Sequence, residues 1–138
     1  MSESHNFDWV TKRANCSLRA KFLTLKAQIA ADVQARNKID SQGGFQSAFR
    51  VVNQSADSFA VLYEVSLPAS EKSNSVEFKI AQLLAGNPYI SVVDGNEEIL
   101  RANVTLSNEA ECRFVVDGSE LLDWQFRKAA LEALFFGR

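Results

Sequence analysis

The 138-residue chain has one histidine, two cysteines, two prolines and one methionine, and these shortages already remove several chemistries. His5 lies in a polar stretch, residues 1–6, expected to be a flexible tail. A Ser-His-Asp or Cys-His nucleophile system, or a histidine-bearing metal centre, would have to be built on that mobile segment. Cys16 and Cys112 stand far apart with no CxxC spacing, which favours two reduced packing residues over a bridge or a reactive thiol. The only adjacent glycine pair, Gly43-Gly44, follows a helical pattern and precedes a strand pattern. That is the reverse of a phosphate-binding loop and reads as a helix stop.

No apolar run approaches the roughly 18 to 20 residues of a membrane span, and the first forty residues lack a secretory pattern. Together with reduced cysteines this predicts a cytoplasmic protein. Asp94, Asn96 and Glu98 alternate like the opening of a calcium loop, but the glycine comes second and no acid stands twelfth. Neither a metal nor another cofactor is expected.

What is present suits one ordinary domain over residues 1–138: 46% hydrophobic and 23% charged side chains, with a formal charge of -2. Residues 8–37 contain no Gly or Pro, and Leu18, Phe22, Leu25, Ile29 and Val33 recur at steps of three and four. The spacing predicts one long helix, capped by Asn6 with Asp8 in its first turn. Val10 and Ala14 extend the stripe, and Ala20, Leu23, Ala27, Ala30 and Ala31 widen it.

After residue 44 the hydrophobic period changes from 3.6 to 2. Phe59, Val61, Tyr63, Val65 and Leu67 alternate with Ala60, Leu62, Glu64 and Ser66. Residues 45–53, 76–83, 89–94, 100–106 and 112–116 show the same habit, with Val76, Phe78 and Ile80 facing inward. Short polar breaks imply antiparallel neighbours, and Asp94-Gly95 is the strongest hairpin signal. Asp117 to Glu120 is expected to open a second helix with Leu122, Phe126, Ala129, Ala133 and Phe136 as its apolar stripe. Leu121, Trp124, Leu131 and Leu134 sit beside that stripe.

The predicted fold is therefore α+β: a long N-terminal helix, a five- to six-stranded antiparallel meander and a C-terminal helix, with both helices on one sheet face. Cystatin-like and nuclear-transport-factor-like folds share the order of a helix before an antiparallel sheet, and small acidic type III secretion chaperones come close in character. No motif carries any of these resemblances, and no family follows.

Charge is uneven. Residues 8–40 hold seven basic and three acidic side chains, and residues 41–138 hold eight basic and thirteen acidic. Lys12, Arg19 and Lys26, at steps of seven, define a candidate interaction face together with Trp9. A pI near 5.4 and the lack of aromatics on that face disfavour nucleic acid. Arg50, Glu64, Lys79, Arg101 and Arg113 share the outer sheet face with Val52, Leu62 and Val115.

Two functions compete. The first is a non-enzymatic, self-associating interaction module. A helix of about 30 residues is about 45 Å long against a domain diameter of roughly 37 Å, so an end overhangs. A second copy in a two-fold dimer, held through the first helix, the outer sheet face or both, would bury it. The alternative is a small-molecule binder or simple acid-base enzyme with an apolar pocket between sheet and helices, lined by Tyr63, Phe78, Tyr89, Phe114 and Trp124. Glu64 or Asp123 would then act near a tyrosine. No catalytic residue is assigned.

Overall fold

The computed structural model describes residues 7–42, 47–65, 74–82 and 86–137. The tail with His5 and Asn6, the Gly43-Gly44 stop and the connections at residues 66–73 and 83–85 lie outside these described residues. The elements run α1 (Trp9–Asn15), α2 (Leu18–Gln42), β1 (Ser47–Ser55), β2 (Ser58–Val65), β3 (Asn74–Gln82), β4 (Pro88–Asp94), β5 (Glu97–Leu106), β6 (Cys112–Val116), β7 (Ser119–Leu121) and α3 (Asp123–Phe136). The sheet is an antiparallel meander in sequence order, β1 to β7. This is the α+β architecture the pattern predicts, with one strand more.

The extra strand comes from the segment expected to cap the last helix. Asp117 and Gly118, both at positive φ (52° and 81°), form a tight turn that folds Ser119–Leu121 back on β6. The helix starts only at Asp123, where the Gln125 side chain reaches back to accept the Leu122 N–H at 2.9 Å. The Asp94-Gly95 hairpin forms as predicted, with Gly95 at φ +66°. Ser107 closes the β5–β6 turn, its hydroxyl accepting the N–H groups of Glu109 and Glu111.

The single long helix is in fact two. Cys16 N–H bonds back to Lys12 and Arg13 carbonyls, and the Arg13 guanidinium donates to the Cys16 carbonyl at 3.0 Å, ending α1. Ser17 then caps α2, its hydroxyl accepting the Ala20 N–H at 3.1 Å. Asp8, expected inside the first turn, is instead the cap of α1 and accepts from Thr11 N–H and Oγ1. The 25 residues of α2 span about 37 Å, close to the expected domain diameter, so the argument from an overhanging helix does not apply.

Both helices cover one face of the sheet. Phe22, Leu25, Ile29 and Val33 of α2 meet Phe59, Val61, Val76, Phe78, Ile90, Val92, Ala102 and Phe114 of the strands, and Phe126, Ala130, Leu131, Leu134 and Phe135 of α3 complete the core. Phe59 and Phe78, opposite each other across β2 and β3, stack at 5.0 Å, and Phe114 stacks on Phe126 at 4.1 Å.

The buried stripe of α2 is narrow: Ala20, Leu23, Ala27 and Ala31, expected to widen it, are exposed, as are Val10 and Ala14 of α1. The stripe of α3 is rotated from the expected one, since Leu122, Ala129, Ala133 and Phe136 face outward. Each helix has one sheet face to cover and one neighbouring helix, which leaves no surface for a wider apolar sector. At the open edge, the Asn37 amide takes the N–H and C=O of Phe49 in β1, each at 2.8 Å. It stands where another strand would pair.

Candidate functional site

Where α2 meets α3 the contact is polar. Lys21, Gln28 and Asp32 follow one another at steps of seven and four along the side of α2 facing α3, and Asp123 and Arg127 answer them one turn apart. Lys21, 8% exposed, donates to Asp123 Oδ1 and to the Cys112 carbonyl, both at 2.5 Å, with its ammonium 4.9 Å from the Phe114 ring centre. Gln28 Nε2 donates to Asp123 Oδ2 at 3.1 Å, and Arg127 Nε donates to Asp32 Oδ2 at 2.6 Å.

Burial pushes the Asp123 carboxyl up, but hydrogen bonds from Lys21 and Gln28, with the charges of Lys21 and Arg127, hold it below the usual aspartate range. A carboxyl lowered in the folded state contributes stability that is complete above its unfolded pKa and lost as pH falls through the folded one. Acid titration from pH 5 downward is therefore expected to destabilise the protein more steeply than the Asp123→Asn variant. Melts recorded at stepped pH would check it, and parallel slopes would show that Asp123 carries no linkage.

Beside this junction, Cys16 and Cys112 form a disulfide, with Cα atoms 5.3 Å apart. The expected reduced pair is thus corrected. The long separation in sequence concealed that the first turn of α2 lies against the start of β6, where Lys21 reaches the Cys112 carbonyl and Cys16 comes beside Cys112.

Outside the Lys21–Asp123 contact, a groove of about 360 Å³ lies between α2 and α3. Ala35 and Ile39 line one wall, and Trp124, Lys128, Leu131, Glu132, Phe135 and Phe136 the other. Trp124, Ile39 and Phe136 are 55%, 57% and 68% exposed, large apolar surface for one small region. Arg36 closes the far end, donating from Nε to the Phe135 carbonyl at 2.7 Å and lying about 5 Å over both Phe49 and Phe136.

The five residues proposed to line an internal pocket do not converge. Phe78 and Phe114 are fully buried in the core, and Tyr63 packs on Phe49 at 4.7 Å. Tyr89 lies on the opposite sheet face from its neighbour Ile90, beneath the Arg101 guanidinium at 4.3 Å. Trp124 sits outside, on the interhelix groove. Of the carboxylates considered for acid-base work, Glu64 pairs with Arg50 on the outer face and Asp123 is engaged by Lys21 and Gln28.

The proposed basic face is divided by the helix break: Lys12 belongs to α1, while Arg19 and Lys26 belong to α2. Arg19 is ion-paired with Asp57 in the β1–β2 turn. Trp9, 62% exposed, shares a separate shallow groove with Phe7 and residues 106–110. The outer sheet face carries its mixed charges as expected, with Glu98 held below its usual range by the Ser91 hydroxyl, against burial, and further by Arg101.

Among the described residues no cluster of His, Cys, Asp or Glu could hold a metal ion, and no helix is long and apolar enough to cross a membrane. Sequence reasoning missed the polar seam and the interhelix groove. Their signal was the 7-and-4 spacing of Lys21, Gln28 and Asp32 alongside the apolar stripe. No family model, curated protein or solved structure matches the chain.

Proposed function

We propose that the protein is a non-enzymatic interaction module that works by self-association, most simply as a two-fold dimer. One observation carries this reading: Trp124, Ile39 and Phe136, each more than half exposed, surround one groove between the two helices. Such a patch is costly to leave in water and suits a macromolecular contact. Lys21 and Asp123 are committed to each other, which favours a structural role for this pair.

The alternative, a small-molecule site or acid-base enzyme between sheet and helices, has less support. Phe78, Phe114 and Phe126 are buried there, and the open groove between the helices is the better place for a ligand. The engagement of Arg19 and burial of Lys21 likewise weaken a nucleic-acid reading. The bonded cysteines favour an oxidising compartment over the cytoplasm suggested by the sequence.

Sedimentation or light scattering from 1 to 200 µM tests the proposal. A mass rising from that of one 15.3 kDa chain toward twice that value is expected. A constant single-chain mass would overturn self-association.

A further inference from the structure

Four exposed side chains of α3 form one ridge at steps of four: Trp124, Lys128, Glu132 and Phe136. Trp124 and Phe136 are 55% and 68% exposed, and the Lys128 and Glu132 side chains, 59% and 58% exposed, pair with each other along the helix at 3.4 Å, an exposed contact that an intermolecular pair can replace. The order along the ridge is aromatic, cation, anion, aromatic, which becomes its own complement when turned end over end. The midpoint falls at residue 130, with the two aromatics about 18 Å apart.

We infer that two copies of this chain associate through α3 packed antiparallel on α3, with Trp124 of each against Phe136 of the other and Lys128 of each paired with Glu132 of the other. The inference rests on the self-association proposed above and gives it a surface.

A two-fold contact places residue n of one helix opposite residue 260 − n of the other, so the aromatic contact and the ion pair each form twice from one sequence. Ridges built at steps of four run alongside one another when two helices cross near −50°, which lets the two copies of the ridge meet along their length. Ala129 and Ala133, which flank the ridge, are small and exposed, so the backbones can approach. A parallel arrangement or an unrelated partner would gain nothing from this palindromic order. The four aromatic side chains supply less than the roughly 1,200 Å² at which standard interfaces begin, which puts the contact among the small, transient ones.

Charge exchange separates this contact from any other. Lys128→Glu gives a ridge with two anions, and Glu132→Lys gives one with two cations. Each alone would face its own kind in a homodimer, and the dissociation constant is expected to rise about tenfold or more. In an equimolar mixture of the two variants, both anions of one ridge lie opposite both cations of the other across the contact. Within each helix the like-charge pair remains, so recovery in the mixture reports on the intermolecular pairing alone.

Sedimentation equilibrium is expected to show a weakened dimer for each variant, a heterodimer near wild-type affinity for the mixture, and recovery in the Lys128→Glu/Glu132→Lys double variant. Trp124→Ala, at an exposed site, should weaken association with unchanged circular dichroism. If wild type dimerises while both charge variants associate equally well, or the mixture fails to recover, the α3 contact is wrong and self-association uses another surface. If wild type stays monomeric up to 200 µM, the self-association itself is wrong and the ridge falls with it.

Discussion

Replacing Cys16 and Cys112 together by serine is expected to lower the unfolding free energy by about 4 to 5 kcal/mol. The bridge joins residues 96 apart, closing most of the chain into one loop and so constraining the unfolded ensemble strongly. Loop closure of about 100 residues is worth about 4.7 kcal/mol in the chain-entropy treatment. Burial adds to this, because Cys16 is 1% exposed and a serine there places a hydroxyl among apolar neighbours. Domains of this size usually have only about 5 to 15 kcal/mol in total, so the reduced protein should be marginal.

Urea melts with and without reductant, compared with the double variant, would check the size. A loss under about 1 kcal/mol would mean that Cys16 and Cys112 are not bonded in the folded protein, or that the unfolded chain is already compact. Alkylation in denaturant before reduction distinguishes the two, since only bonded cysteines then stay unlabelled.

Phe22→Ala should cost about 3 to 5 kcal/mol. Phe22 is 1% exposed, and its ring centre lies 5.3 Å from that of Phe59, which stacks in turn on Phe78. Truncation removes one end of this aromatic series. The surrounding side chains come from α2 and two paired strands and cannot move inward independently, so a cavity remains. Leu23→Ala is the control: Leu23 is adjacent in sequence but 54% exposed, and its loss should be near neutral. Equal costs for the two substitutions would place the helix in the wrong rotation.

The alternation from Phe59 to Tyr63 and from Val76 to Ile80 was legible because a sheet covered on one face has to send every second side chain into the core. The stripe from Phe22 to Val33 was legible for the corresponding helical reason. Less of α3 could be read. Its apolar residues occupy so many positions that two stripes fit them, and the direction of the sheet decides between them. Phe135 is buried and Phe136 is not, although the two are neighbours of the same type. The break before Leu18 depended on a single serine hydroxyl, a local signal that competes with good helix formers on both sides.

The candidate site was still less legible. Lys21 resembles its solvent-facing neighbours in sequence, and only the approach of Asp123, 102 residues later, makes its burial tolerable. The same holds for Trp124, read as a pocket residue beside Tyr63 and Phe114, which the rotation of α3 turns outward onto the groove.

The sequence by itself therefore determined the class, the order of elements and most of the core, because periodicity is a local consequence of burying one side of a helix or strand. It also set the palindromic order of charged and aromatic residues along α3. Only the tertiary structure decided that Cys16 reaches Cys112, that Lys21 and Asp123 share a junction, that Phe78 and Phe114 lie buried while Trp124 lies outside, and that the α3 ridge faces outward. Each of these depends on the distance and rotation between elements far apart in the chain, which packing sets and local spacing does not encode.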